Sequence, residues 1–132
     1  NVECDFSANG YRLPTHREWE YAARGGNGLE GYQFQYAGSD NLDEVAVWNT
    51  DVVSEIKTKK PNGLRIYDLN GNIEEWTFDR YKGKENVIYA GGYYFYKQPD
   101  AFLLSRSYAS CMAITLAARN SQLGLRVVCT AD

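Results

Sequence analysis

Tyr67-Asp68-Leu69-Asn70-Gly71-Asn72-Ile73-Glu74-Glu75-Trp76 brings oxygen ligands, a turn and an aromatic anchor into one short stretch. Gly71 tolerates the left-handed backbone that a sharp reversal needs. Around such a reversal Asn70, Asn72 and the carboxylate of Glu75 or Glu74 can converge on one point, and amide, carbonyl and carboxylate oxygens suit a hard cation such as calcium. The expected ligand set is Asn72 and Glu75 with main-chain oxygens at Gly71 and Ile73, and Trp76 is expected to pin the loop to a core. The spacing is not that of an EF-hand, whose glycine falls one place later and whose bidentate Glu lies further on. On local chemistry alone, an Asn-Gly turn with solvated acids before a core Trp accounts for the stretch equally well.

Working outward, 132 residues with 44% hydrophobic content allow one domain with a core of its own. A net charge of −3 and a pI near 5.2 leave no basic footprint for nucleic acid. No apolar run approaches the roughly 18 residues of a membrane span. Cys4, Cys111 and Cys129 lack the close pairing of zinc sites and permit at most one disulfide.

Upstream, Pro14 holds Leu13 extended, and Thr15 with Glu18 forms a capping box that predicts a helix from there. Trp19, Ala22 and Ala23 share one face of it, and Gly25 supplies a left-handed stop. His16, the only histidine, falls in the first turn and reads as a solvated surface residue, not a ligand or a base. Tyr32, Phe34 and Tyr36 alternate with glutamines as in a short half-buried strand. Lys57 to Lys60, Pro61-Asn62-Gly63 and the turn at Asn49 and Asp51 read as exposed connections.

Four further stretches stand in order around the first. They are Gly10-Tyr11-Arg12-Leu13-Pro14-Thr15 running into Glu18-Trp19-Glu20-Tyr21-Ala22-Ala23-Arg24-Gly25-Gly26, then Asn41-Leu42-Asp43-Glu44-Val45-Ala46, then Gly91-Gly92, and finally Gly124-Leu125-Arg126-Val127-Val128. With Tyr67 to Trp76 they resemble the formylglycine-generating enzyme family, also called sulfatase-modifying factors. The resemblance implies an irregular α+β fold of C-type lectin-like type, low in regular secondary structure, with calcium in many members and a first calcium site near Asn49 and Asp51. In that family the Arg-Leu-Pro-Thr motif lies near the middle of the domain. Residues 1–132 are therefore expected to be the C-terminal part of one such domain, partnered by an N-terminal part outside them.

After Gly91-Gly92 come Tyr93, Tyr94, Phe95 and Tyr96, then Phe102, Ser107, Tyr108, Ser110, Cys111, Met112 and Ile114, with no sustained period. If this segment continues as a strand, Tyr94 and Tyr96 face one way and Tyr93 and Phe95 the other. Rigid aromatics among small polar neighbours are the chemistry of antibody-like binding surfaces. The segment also resembles the variable region of proteins diversified by diversity-generating retroelements. Tyr93, Tyr94, Phe95, Tyr96, Phe102, Ser107, Tyr108, Ser110, Met112 and Ile114 are thus the expected ligand-binding residues, for a protein or other macromolecular partner. The same resemblance implies an extracellular or bacterial cell-surface setting.

Catalysis in the resembled enzymes depends on two copper-binding cysteines after the glycine pair. Here Cys111 stands in that segment without a second cysteine, and one thiolate does not make a two-coordinate copper site. The reading is a non-catalytic ligand-binding domain, and the alternative is a divergent sulfatase-modifying oxidoreductase using Cys111.

Overall fold

The computed structural model describes residues 4–26, 34–80, 87–95, 109–112 and 121–129, with main chain alone at 87 and 109–112. Tyr32, Tyr96, Phe102, Ser107, Tyr108 and Ile114 lie outside the described residues, as do the side chains of Ser110, Cys111 and Met112.

Helix α1 spans His16–Ala23 and starts where the capping box places it. Thr15 is extended, its Oγ1 accepts from the Glu18 amide at 3.2 Å, and Glu18 Oε2 accepts from the Thr15 amide at 2.7 Å. Trp19 and Ala23 are buried on its inner face, while Arg17 and Tyr21 face out. Gly25, at φ +79°, ends the helix by donating to the Ala22 carbonyl. A second, single-turn helix α2 (Leu42–Val45) is capped by the Asn41 side chain and buries Leu42 and Val45.

Among the described residues the strands are short and fall into three sheets. Strand β1 (Tyr11–Arg12) pairs antiparallel with β8 (Val128–Cys129), and β2 (Ala46–Val47) pairs parallel with β3 (Asn70–Gly71). The main sheet runs β6 (Ala109–Met112), β5 (Val87–Ala90), β4 (Glu74–Arg80), β7 (Leu123–Leu125), antiparallel except for the parallel β4–β7 pair. Helix α1 lies on this sheet, and Trp19, Ala23, Ala37, Leu69 and Ala90 form the core between them. Tyr36, Leu42, Val45 and Ala46 form a second cluster, with Trp48 packed against it.

Several expectations change. Trp19, 1% exposed, is the central aromatic; Trp76 is only half-buried, edge-on to Tyr89 at a centroid distance of 5.0 Å. His16 is half-buried, not solvated: its amide donates to Asp79 of β4, which draws the first turn of α1 onto the sheet and leaves Nε2 buried without a partner. At the described end of the strand expected from Tyr32 to Tyr36 the chain makes a tight reversal. A bridge joins Tyr36 to Ser39 around Ala37 and Gly38, with Tyr36 buried and Phe34 exposed. The turn holding Asn49 and Asp51 is exposed, as read.

Candidate functional site

The loop from Tyr67 to Trp76 is where the fold's separate pieces meet. Asp68, Gly71 and Asn72 all have left-handed φ, at +58°, +72° and +61°. At Gly71 this is obligatory, because a Cβ there would lie 2.1 Å from the Val47 carbonyl oxygen. The close approach lets the Asn72 amide donate to Val47 O at 2.8 Å and the Gly71 amide donate to Gly91 O at 2.7 Å.

The side chains named as metal ligands have other partners. Glu75, 8% exposed, accepts from Arg126 Nε at 2.8 Å and Nη2 at 2.7 Å, and from Trp19 Nε1 at 2.6 Å. Arg126 Nη2 also donates to the Tyr67 carbonyl at 2.9 Å, so one guanidinium ties β7's end, β4 and the loop together. Asn72 accepts from the Ser54 amide at 3.0 Å and donates to the Ser54 carbonyl at 3.3 Å. Asn70 treats Ala37 in the same way, at 3.0 and 3.2 Å. Each of these amides imitates a peptide group and pairs with one residue's main chain. As placed, Asn72 and Glu75 direct these oxygens to N–H donors.

An unmet acceptor does remain in the loop. Asp68 Oδ2 accepts from the Lys57 amide at 2.8 Å, whereas Oδ1 is buried without a hydrogen-bond partner. A carboxylate oxygen in that state fits a cation better than it fits an apolar contact. No group of three or more His, Cys, Asp or Glu is gathered among the described residues, so any cation here would lean on main-chain oxygens.

The aromatic segment leaves β5 at Gly91 and Gly92, with φ +95° and +69°. It does not continue as a strand but turns at Tyr94 and Phe95, so the two-face alternation expected there does not hold. Tyr93 and Tyr94 are half-buried with rings edge-to-face at 6.0 Å, and Phe95 is exposed. The main chain is fixed at Tyr94, whose amide donates to Asn72 O and whose carbonyl accepts from the Thr50 amide, both at 3.0 Å. Burial pushes the Tyr93 hydroxyl pKa up, with the nearby Glu74 charge adding to it; Tyr89 is raised by the same two causes. Both phenols stay neutral at physiological pH. Cys111 lies on β6 opposite Ile88, and Cys4 is a free thiol.

Two structural residues escaped the sequence reading. Asn62, read as part of an exposed turn, is buried: its Nδ2 donates to the Ala22 carbonyl at 2.7 Å and its Oδ1 accepts from the Leu64 and Ile66 amides. Arg126 was quoted only as part of a motif; a lone arginine in an apolar C-terminal run was the available signal of a buried acid elsewhere.

Comparison with known proteins places this geometry. The family described as sulfatase-modifying factor enzyme 1-like domain matches residues 4–131. Among curated proteins, the chain is 39% identical over 98 residues to chaperone protein LppX of Paenibacillus barcinonensis, covering 59% of this chain and 34% of that protein. It is 34% identical over 87 residues to the formylglycine-generating enzyme of Streptomyces coelicolor, covering 53% and 26%. It is 33% identical over 89 residues to inactive C-alpha-formylglycine-generating enzyme 2 of Bos taurus, covering 58% and 29%. Among solved structures, Treponema denticola variable protein 1 superposes with a TM-score of 0.77 at 28% identity, over 96% of this chain and 50% of that one. The structure titled crystal structure of CarF gives 0.81 at 32%, over 97% and 50%. The fold is thus the irregular α+β, C-type lectin-like one, and the chain spans at most about half the length of these relatives.

Proposed function

The chain belongs to the sulfatase-modifying factor enzyme 1-like domain family, and from that premise we propose that it is a non-catalytic ligand-binding domain with a diversified C-terminal surface. The observation that carries this reading is the segment Gly91–Phe95. A glycine pair turns the chain off β5, the Tyr94 amide's hydrogen bond to the Asn72 carbonyl and the Thr50 amide's to the Tyr94 carbonyl fix its backbone, and the rings of Tyr93, Tyr94 and Phe95 are left partly exposed. That is a rigid scaffold ending in adaptable contact groups, the division of labour that paratopes use. The likeness to Treponema denticola variable protein 1 supports it. A protein or other macromolecule is the proposed ligand, and display outside a bacterial cell is the proposed setting. Among the described residues no helix is long and apolar enough to cross a membrane.

Calcium, where bound, supplies charge neutralisation and cross-linking to a loop with three left-handed residues. Asn72 and Glu75 with main-chain oxygens at Gly71 and Ile73 are the donor set the resemblance implies, and Asp68, whose Oδ1 has no hydrogen-bond partner, is the side chain we propose to add to it.

The second reading, a divergent sulfatase-modifying oxidoreductase, draws on the family's enzymes and on Cys111. Sequencing the DNA beside the gene separates the two. A reverse transcriptase with a template repeat matching the codons of residues 93–122 is the expected finding. Absence of such a repeat, together with stoichiometric copper(I) binding that is lost in Cys111→Ser, would transfer the case to the oxidoreductase.

A further inference from the structure

Unfavourable backbone geometry gathers around one groove of this fold. Among the described residues five that are not glycine have left-handed φ. Four of them, Lys57, Arg65, Asp68 and Asn72 at +64°, +60°, +58° and +61°, line a groove of about 450 Å³. Asparagine and aspartate adopt that conformation readily, whereas lysine and arginine do so against a steric penalty. Such positions persist where the surroundings over-determine the chain, and they cluster at ligand sites. The groove's walls are aliphatic: Ile56 is 74% exposed and Leu125 67%, with Ile66 and Ile73 half-buried beside them and Ile66 packed on the core. Its floor is held in place, because the Arg126 guanidinium is tied to Glu75 and to the Tyr67 carbonyl.

The charges lining the groove do not balance. Lys57, Arg65 and Arg126 stand against Asp68 and Glu75, a surplus of one positive charge. Arg126 is matched by Glu75, so the surplus falls to Lys57 and Arg65, both exposed. Lys57 also sets its ammonium 5.7 Å from the centroid of the Tyr67 ring, which takes up the aromatic face available here. We propose that the groove binds an aliphatic carboxylate, with its chain laid on Ile56, Ile66, Ile73 and Leu125 and its head group met by Lys57 and Arg65. One negative charge matches the surplus of one, whereas a phosphate monoester, at about −1.5 to −2, would exceed it. A guanidinium fork also suits the two oxygens of a carboxylate. The bound chain would cover Ile56 and Leu125, whose side chains otherwise stand bare in water. Tyr93, Tyr94 and Phe95 do not line this groove, so the site stands or falls independently of the ligand-binding proposal above.

The test titrates sodium octanoate into the polypeptide as its gene encodes it, by calorimetry and with chelator present so that no calcium bridges the carboxylate. Saturable binding at one site is expected. Hexanoate and butanoate should bind more weakly, by up to about fourfold for each methylene lost. Both 1-octanol and octylammonium should bind at least about tenfold more weakly than octanoate. Lys57→Asn and Arg65→Asn remove the charge while placing at each left-handed position a residue that accepts it. Each should weaken octanoate by about fivefold and leave 1-octanol and the melting temperature as they were. Octanoate that does not saturate, a flat chain-length series or equal affinity for 1-octanol each overturns the proposal without any variant having to fold. An octanoate affinity unchanged in both variants overturns it as well.

Discussion

Arg126→Met puts the greatest load on the network around Tyr67–Trp76. The substitution keeps an apolar stem but leaves the Glu75 carboxylate with Trp19 Nε1 as its remaining donor among the described residues, and takes the donor from the Tyr67 carbonyl. Removing one partner from a buried ion pair costs about 3–5 kcal/mol, because the other charge stays behind unpaired. The Glu75 side chain is 11% exposed and that of Arg126 27%, so water can reach part of the gap and the lower end, about 3 kcal/mol, applies. For a chain of this size that is roughly a 10–15 °C fall in melting temperature. Glu75→Gln in the same background keeps an acceptor for Trp19 without the stranded charge, so the double variant should recover about 1–3 kcal/mol relative to additivity. Urea denaturation followed by near-ultraviolet circular dichroism, which reports on the buried Trp19, measures all three variants. A loss under about 1 kcal/mol for Arg126→Met, or strict additivity in the double variant, would refute the assignment of Arg126 as the central tie.

Gly71→Ala forces a Cβ to within 2.1 Å of the Val47 carbonyl at a φ of +72°; the β2–β3 pairing must open, and a loss above about 3 kcal/mol in the same denaturation is expected, with an unchanged midpoint as the contrary result. Glu18, held by the Arg12 guanidinium and by Thr15, has its pKa lowered from 4.5 to about 2. Its contribution is therefore fully present above pH 4.5 and is lost as the pH falls toward about 2. Because its side chain is 40% exposed the effect is modest, but wild type should lose more stability across that interval than Arg12→Met, and parallel curves would contradict this. Calcium should raise the melting temperature of wild type and not of Asp68→Asn; identical responses of the two to calcium and to chelator would remove Asp68 from the ligand set.

Helix α1 was legible in the sequence because its signals are local: the capping box at Thr15 and Glu18, the apolar spacing of Trp19 and Ala23, and the glycine stop all lie within one short stretch. The left-handed turn at Gly71 was legible for the same reason. The partners of Glu75 and Asn72 were not, since they sit 51 and 18 residues away and an oxygen ligand reads the same whether a metal or an N–H meets it. Trp76 looked like the anchor because it follows the motif directly, yet the central place went to Trp19, whose indole N–H reaches the Glu75 carboxylate across 56 positions. Tyr93 to Phe95 misled in another way: an aromatic run has strand propensity, but the glycine pair before it turns the chain away from the ladder.

The two asparagine clamps give the domain a tolerance of its own. Asn70 and Asn72 hold Ala37 and Ser54 through main-chain groups only, so neither contact depends on which side chain occupies the held position. At Ser54 the sequence is free to drift so long as the backbone arrives with the same orientation, whereas Ala37 is also fixed by its place in the core. The near side has no such latitude: glutamine is one methylene too long, and aspartate lacks the N–H half of the grip. Variation and invariance are thus assigned to opposite ends of the same bond, and a surface joined to the Asn72 carbonyl at Tyr94 can change its side chains while resting on a fixing that does not register the change.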